Sequence, residues 1–137
     1  MSLLKWSNFF SVGVDDIDNQ HKKLVQILND LHYVIANNEG DKAIKELLLK
    51  LLEYTKEHFV DEEKFMIEIE FPGFDKHFQK HFKLTEQVEQ FCDNVNNGVE
   101  INQLELVVFV MDWLKDHIME EDMEYARYAI SREAKIL

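Results

Sequence analysis

Residues 58–81 read HFVDEEKFMIEIEFPGFDKHFQKH, a stretch in which two pairs of possible metal ligands flank a Phe-Pro-Gly break at 71–73. The pairs are His58 with Glu62 and His77 with His81. In each pair the two residues are four apart, so on an α-helix they lie one turn apart on the same face. Proline followed by glycine is typical of a turn between regular elements. The stretch therefore predicts a helical hairpin that carries one ligand pair on each helix.

Apolar residues extend both of these faces away from the break. Their positions alternate in steps of four and three, which is the period of a helix face packed in a core. The first face comprises Ile44, Leu48, Leu51, Thr55, His58, Glu62, Phe65 and Ile69, and the second comprises His77, His81, Leu84, Val88, Phe91 and Val95. Because the possible ligands share these faces with apolar residues, we expect them to point into the interior.

The scarcity of turn residues predicts an all-α architecture. Only 4 Gly and 1 Pro occur in 137 residues, so turns must be few and the elements between them long. The predicted helices span 18–37, 41–69, 74–96 and 101–130. Asp18 is the predicted N-cap of the first helix. We therefore predict a single domain over residues 1–137, folded as an up-down-up-down four-helix bundle with an N-terminal extended segment.

Charge and cysteine content narrow the classes of partner. The chain carries 15 Lys+Arg against 27 Asp+Glu, a formal charge of -12, which would repel a phosphate backbone or an anionic membrane. We therefore expect no nucleic-acid and no membrane partner, and the sequence identifies no protein partner. The single cysteine, Cys92, excludes an internal disulfide framework and a multi-thiolate metal site within one chain. A reducing, cytoplasmic location is expected, because neither a signal sequence nor an apolar run of about 18 residues is evident.

Five histidines on core-facing positions need a common partner. Besides the three in the central stretch, His21 lies on the face of Leu24 and Leu28, and His117 lies on the face of Val110 and Leu114. A lone core histidine is usually a hydrogen-bonded structural residue. However, each unpartnered buried polar group costs about 1–3 kcal/mol, and a whole domain is stable by only about 5–15 kcal/mol. A metal centre would supply the partner.

The candidate ligands are too many for a single zinc ion. They are His21, His58, Glu62, His77, His81, His117 and an acidic residue from the run Glu120, Glu121, Asp122. Zinc takes about four ligands, and mixed imidazole and carboxylate ligation at a higher coordination number is typical of iron. Two iron ions are therefore expected.

These residues also carry a family resemblance. Trp6, the run Gly13-Val-Asp-Asp-Ile-Asp-Asn-Gln-His21, His58-x-x-x-Glu62, Phe71-Pro-Gly with His77-x-x-x-His81, and Trp113-Leu-x-x-His117-x-x-x-x-Asp122 resemble the hemerythrin family, and its bacterial branch, bacteriohemerythrin, most of all. The resemblance spans nearly the entire chain, and no ligand position is missing. It implies that His77, His81 and His117 hold one iron, that His21 and His58 hold the other, and that Glu62 and Asp122 bridge them.

The resemblance also implies a function. With about six ligands per iron, the histidines, two bridging carboxylates and an oxo or hydroxo bridge leave one position open, on the iron with two histidines. The resemblance implies reversible dioxygen binding at that position, for oxygen carriage, storage or delivery, and no enzyme activity. Residues within a turn of the ligands predict an apolar pocket around it, formed by Leu24, Phe59, Leu114 and Ile118. An oxygen-sensing module and a di-iron oxidase or peroxidase are the alternatives.

One ligand conflicts with regular helix geometry. His117 and Asp122 are five apart, so an ideal helix would separate their directions by about 140°, whereas Glu121 would be better aligned. Because the resemblance favours Asp122, we predict a wide turn between the two ligands.

Several neighbouring residues are predicted to have no chemical role. The acidic run Asp61–Glu63 is expected to be a solvated face from which only Glu62 turns inward. Thr55 is expected to bond its own helix backbone. Trp6, Phe9 and Phe10 are expected to form an aromatic cover on the bundle.

Overall fold

The computed structural model describes the backbone of residues 3–136 and the side chains of residues 3–132. A short 3-10 helix, Asn8–Phe10, precedes α1 (Asp15–Ala36), α2 (Asp41–Glu68), α3 (Phe74–Asn96), α4 (Gln103–Lys115), a π-helical segment (Asp116–Glu121) and α5 (Asp122–Ile136). The last three elements run on without a break and form the fourth helix of the bundle. The described residues contain no strand, and the predicted all-α four-helix bundle is confirmed.

Short connections at 37–40, 69–73 and 97–102 join the successive helices. Such connections make neighbouring helices antiparallel. In the bundle α1 packs against α2 and α4, and α2 packs against α3. Gly98 has a φ of +71°, a left-handed conformation that glycine adopts without a steric penalty, and it ends α3. None of the described helices is both long enough and apolar enough to cross a membrane.

Two apolar clusters of unequal size fill the bundle. The larger one includes Leu24, Leu28, Leu48, Leu106, Val110 and Leu114. The smaller one consists of Val12, Ile17, Met66, Tyr125 and Ala126. In sequence, the predicted ligands on α1 and α2 lie between these clusters: His21 comes between Ile17 and Leu24, and Glu62 comes before Met66. The polar residues therefore form a layer with apolar packing on both sides, which keeps bulk water away from them.

The N-terminal segment is tied to α1 by hydrogen bonds. The prediction that Asp18 is the N-cap of α1 is wrong, because that helix begins one turn earlier, after Val14. Instead, the Asp18 carboxylate accepts hydrogen bonds from the Ser11 hydroxyl, at 2.6 Å, and from the Val12 amide, at 2.8 Å. The carboxylate therefore fixes the entry of the chain into the bundle.

The predicted aromatic cover is only partly correct. Trp6 and Phe10 pack against the larger apolar cluster, with their ring centroids 5.5 Å apart. Phe9 is 89% exposed and takes no part. Successive residues of the short 3-10 helix point in different directions, so two adjacent aromatic rings cannot both face the bundle.

The predicted wide turn in the fourth helix is confirmed. Residues Asp116–Glu121 are π-helical, with about one residue more per turn than an α-helix. This extra residue brings Asp122, five positions after His117, back to the inner face, where it is fully buried. Glu121 instead forms an ion pair with Lys80 of α3. The helix irregularity therefore decides which of two adjacent carboxylates faces the interior.

Deletion of Met119 is expected to be tolerated, because a π-helical segment is an α-helix with one residue inserted. The deletion would place His117 and the following aspartate four apart on a regular helix, and both would still face inward. The variant should retain the iron content of the unmodified protein, as measured by metal analysis after anaerobic loading with ferrous iron.

Val60 offers a matched control for this deletion. Met119 and Val60 are equally exposed, at 49%, but Val60 lies in the regular helix α2 between His58 and Glu62. Its deletion would rotate one half of α2 by about 100° relative to the other, and most of the iron should be lost. Equal loss of iron from both deletion variants would contradict this account of the π-helical segment.

Candidate metal centre

All seven predicted ligands meet in the interior of the bundle. Every one of them is at most 2% exposed. His21 comes from α1, His58 and Glu62 from α2, His77 and His81 from α3, His117 from the π-helical segment, and Asp122 from the first turn of α5. Each helix of the bundle therefore contributes at least one ligand, as the periodicity of the sequence predicted.

The two carboxylate oxygens of Glu62 face different histidines. Oε1 lies 3.3 Å from Nε2 of His77, 2.8 Å from Nε2 of His81 and 3.2 Å from Nε2 of His117. Oε2 lies 3.3 Å from Nε2 of both His21 and His58. A single carboxylate thus divides the five histidines into a group of three and a group of two.

Asp122 also spans the cluster. Its Oδ1 lies 3.1 Å from Nε2 of His77, and its Oδ2 lies 2.8 Å from Nε2 of His21 and 3.0 Å from Nε2 of His117. Oδ1 of Asp122 therefore faces the group of three, and Oδ2 lies between His21 of the group of two and His117, so that Asp122, like Glu62, could bridge two metal ions.

The candidate ligand atoms form two overlapping sets, each compact enough to surround one cation. In each set the atoms lie within 4.8 Å of one another. The sets are His21, His58, Glu62, His117, Asp122 and Glu62, His77, His81, His117, Asp122. His117 belongs to both sets, since it contacts Oε1 of Glu62 and also Oδ2 of Asp122, the oxygen that faces His21.

Unpaired buried atoms test whether these residues fit metal ions. Within the described part of the chain, several inward-facing atoms have no hydrogen-bond partner although each has oppositely polarised neighbours about 3 Å away. They are Nε2 of His58, His77, His81 and His117, Oε1 of Glu62, and both carboxylate oxygens of Asp122. Nitrogen and oxygen lone pairs that converge in this way are stabilised by a cation. The donor set of imidazole and carboxylate groups, without thiolate, suits a di-iron centre.

Burial and the neighbouring carboxylates set the charges within this cluster. Burial lowers the pKa of His117 to about 3, in spite of the attraction of Glu62. Burial would also lower the pKa of His77, but the adjacent carboxylates of Asp122 and Glu62 raise it to about 9. His117 is therefore a neutral imidazole at physiological pH, ready to donate its lone pair, whereas His77 must release a proton when it binds a metal.

The two buried carboxylates have opposite pKa shifts. Burial raises the pKa of Glu62, but the neighbouring imidazoles of His117 and His58 hold it well below its usual value. Burial raises the pKa of Asp122, and the negative charge of Glu62 raises it further. Without a cation between them the two carboxylates disfavour each other's ionisation, so Glu62 takes the charge and Asp122 the proton.

Two ligand histidines are oriented by side chains that the sequence analysis did not select. Nδ1 of His58 lies 2.8 Å from Oε1 of Gln20, whose amide donates to Asp61 at 2.6 Å. Nδ1 of His81 lies 2.8 Å from a carboxylate oxygen of Glu63. The prediction of a mainly solvated acidic face is confirmed for Asp61, which is exposed, and is wrong for Glu63, whose side chain is only 19% exposed and contacts His81. The available signal for these contacts was that Asp61 and Glu63 directly flank the candidate ligand Glu62. Helix periodicity, however, places both side chains away from the core.

Tyr125 is a third contact that the sequence analysis missed. Its side chain is fully buried, and its hydroxyl donates a hydrogen bond of 3.0 Å to Oε2 of Glu62. Burial and the charges of Glu62 and Asp122 raise the pKa of Tyr125 well above its usual value, so the hydroxyl keeps its proton. The signal in the sequence was its position three residues after Asp122, on the same helix face.

Apolar side chains surround the cluster. Leu24 and Leu114 are fully buried, and Ile118 and Phe59 are 2% and 4% exposed. The Phe59 ring stacks on the imidazole of His81, with centroids 3.7 Å apart, and its centroid also lies 5.8 Å from that of His58. Phe59 therefore lies beside histidines of both groups. These four residues are buried near the cluster, and their role as the wall of a ligand pocket stays a prediction.

The prediction that Thr55 hydrogen-bonds the backbone of its own helix is wrong. It is fully buried, and its hydroxyl oxygen has no hydrogen-bond partner among the described residues. The same holds for the indole nitrogen of Trp113, whose ring stacks on His117 at 6.2 Å.

A helical bundle in which five histidines and two carboxylates converge in the buried interior has the architecture of dinuclear, non-haem metal proteins. Comparison with protein families gives the same class. The model described as the hemerythrin HHE cation binding domain matches residues 12–129. The chain belongs to the hemerythrin family.

Individual relatives agree with this assignment. The chain is 33% identical to a bacteriohemerythrin of Clostridium acetobutylicum over 125 residues, which cover 88% of this chain and 96% of that protein. It is 32% identical to a bacteriohemerythrin of Stenotrophomonas maltophilia, with 92% and 81% covered. Among solved structures, wild-type hemerythrin superposes with a TM-score of 0.84 at 31% identity, covering 91% of this chain and 96% of that one. The resemblance found in the sequence is therefore confirmed.

Proposed function

We propose that this protein binds dioxygen reversibly at a di-iron centre and serves in oxygen carriage, storage or delivery. The division of the histidines by Glu62 into a group of three and a group of two is the observation that carries the proposal. With equal bridging ligands, the half that holds His21 and His58 is one protein ligand short. An exogenous ligand can bind there without displacing a protein side chain.

The proposed roles of the ligands follow their contacts. His77, His81 and His117 would hold one iron, His21 and His58 would hold the other, and Glu62 and Asp122 would serve both. When bound, the pair of irons, with an oxo or hydroxo bridge, would supply the electrons that oxygen binding requires. The protein contributes position, charge and exclusion of water.

The surroundings favour binding over turnover. Leu24, Leu114 and Ile118 offer no proton to a bound ligand. Tyr125 is the described residue whose hydroxyl hydrogen-bonds a ligand side chain, and its proton is already donated to Glu62. Because these apolar side chains offer no acid, protonation and cleavage of a bound oxygen molecule would be slow. We therefore propose a binding protein and not an oxidase or peroxidase.

Oxygen titration of the anaerobically reduced, iron-loaded protein tests the proposal. A visible absorption change should saturate at one oxygen per di-iron centre and should disappear when oxygen is removed. Continuous oxygen consumption in the presence of a reductant would instead indicate the oxidase alternative, and no response to oxygen would exclude both.

Replacement of Leu114 by tyrosine is expected to shorten the lifetime of bound oxygen. Leu114 is fully buried and lies three residues before His117, on the same helix face. A phenol there would bring a hydroxyl or a water molecule to the apolar wall. The rate at which the oxygen-dependent absorption decays to that of the oxidised, oxygen-free protein should rise.

Leu114→Phe is the control for this substitution, because it adds the ring without the hydroxyl. Both variants overpack the core, so a loss of about 1–3 kcal/mol in unfolding free energy is expected for each. Only the tyrosine variant should show the faster decay. Equal decay rates for the two variants and the unmodified protein would contradict the proposed role of the apolar wall.

The cellular location belongs to the proposal as well. Cys92 is a free, buried thiol, and burial raises its pKa, which keeps it unreactive. A chain with one such cysteine needs no oxidising compartment, and we propose that it acts in the cytoplasm.

A further inference from the structure

The hydrogen bonds outside the ligands differ between the two halves of the metal centre. A histidine that binds a metal through Nε2 carries its proton on Nδ1 and donates it to an outer acceptor. For His81 that acceptor is the carboxylate of Glu63, whereas for His58 it is the neutral amide oxygen of Gln20, each at 2.8 Å. Two chemically different acceptors thus serve otherwise equivalent imidazole ligands.

The carboxylate strengthens its histidine as a ligand. Glu63 draws the Nδ1 proton of His81 towards a full negative charge, and this makes the Nε2 lone pair more basic. The Glu63 side chain is only 19% exposed, so water screens the interaction weakly. The metal in the group of three histidines therefore receives additional negative charge.

The other half receives less charge. The Gln20 amide is neutral, and its Nε2 donates at 2.6 Å to the exposed carboxylate of Asp61. This contact fixes which end of the amide faces His58, and it keeps the carboxylate one side chain further from the imidazole. His58, Gln20 and Asp61 thus form a hydrogen-bonded chain in which an amide lies between imidazole and carboxylate, whereas His81 and Glu63 are in direct contact.

Tyr125 increases the same difference. Its hydroxyl donates to Oε2 of Glu62, the oxygen that faces His21 and His58. Within the described residues, Oε1, which faces the group of three histidines, accepts no hydrogen bond. A donor on Oε2 withdraws electron density from the oxygen that would bind the metal held by two histidines.

We propose that Glu63, Gln20 and Tyr125 are positioning residues that make the two iron sites electronically unequal, with the His21 and His58 site the more electron-poor. This inference rests on the proposed function, because it assumes that both sites hold iron. The outer contacts, and not the number of histidines alone, then set how tightly this site holds a small anionic ligand.

An exchange of Gln20 and Asp61 tests the inference at constant net charge. In Gln20→Glu/Asp61→Asn a carboxylate faces His58 and an amide supports it from outside, so the hydrogen-bonded chain is preserved. The oxidised double variant should bind azide about tenfold more weakly, by absorption titration, and its reduction potential should become more negative.

Glu63→Gln is the reciprocal variant. It replaces the carboxylate beside His81 with an amide and should make the reduction potential more positive, while the azide affinity changes less than in the exchange variant. Tyr125→Phe should weaken azide binding, because Oε2 of Glu62 regains its electron density. General structural damage would not shift the potential in opposite directions in the first two variants.

Iron content distinguishes failure of the proposed function from failure of the inference about unequal sites. The unmodified protein must hold two irons per chain and bind oxygen, and failure there overturns the proposed function. If all variants load two irons but the azide affinities and potentials stay unchanged, the inference about unequal sites is wrong and the proposed function stands. Glu57→Gln, an exposed glutamate on α2, is the control that should change neither quantity.

Discussion

Replacing Glu62 by alanine is expected to remove most of the iron and to destabilise the folded protein. Glu62 is fully buried, and its two oxygens reach all five histidines. No other described carboxylate approaches so many ligands, so neither iron site would remain complete. Because the ligands lie on every helix of the bundle, loss of metal is also loss of folding free energy.

The substitution also harms the metal-free chain. It leaves the Tyr125 hydroxyl without its acceptor in the interior, at a cost of about 1–3 kcal/mol. Metal analysis should therefore find less than half of the normal iron content, and thermal unfolding of the iron-loaded sample should occur at a lower temperature.

Glu57→Ala is the control, since Glu57 lies on the same helix but is exposed. It should retain the normal iron content and unfolding temperature. Two irons per chain in the Glu62→Ala protein would exclude a bridging role for Glu62.

Replacing Asp122 by alanine is the second substitution with a large expected effect, and Glu121→Ala is its matched neighbour. Asp122 is fully buried and contacts histidines of both groups, whereas Glu121 pairs with Lys80 near the surface. Asp122→Ala should lose a large part of the iron, because one of the two bridges is missing. Glu121→Ala should lose none, and its unfolding free energy should fall by less than about 1 kcal/mol, as for other partly exposed ion pairs.

Iron content and unfolding measured side by side check this pair of variants. The ideal-helix alternative predicts the reverse order, with Glu121 as the ligand. Loss of iron from the Glu121 variant, or normal iron in the Asp122 variant, would contradict the assignment.

Much of the fold and of the site could be predicted from the order of residue types. The four-and-three spacing on the two central helices placed His58, Glu62, His77 and His81 in the interior, where the structure has them. The scarcity of glycine and proline predicted long helices, since little else can interrupt a chain of this composition. These properties are local or periodic, and periodicity is written directly in the sequence.

Helix boundaries and caps were less predictable. Asp18 has the chemistry of an N-cap, but its carboxylate accepts hydrogen bonds from Ser11 and Val12, because α1 starts one turn earlier. A capping side chain can bond whichever amide the chain brings near, and residue type alone does not choose between them.

By itself, the sequence determined the bundle, the inward set of histidines and the family, because each depends on residue type and spacing. Ideal helix periodicity favoured Glu121 and the family resemblance favoured Asp122, and the tertiary structure decided for Asp122 through the π-helical segment and the ion pair of Glu121 with Lys80 of another helix. It also decided that Oε1 of Glu62 serves three histidines and Oε2 two, and that Glu63 and Gln20 support different imidazoles. The contacts of Glu63 and Gln20 with their imidazoles join residues 18 and 38 positions apart, and their geometry follows from how the helices pack, which helix periodicity does not encode.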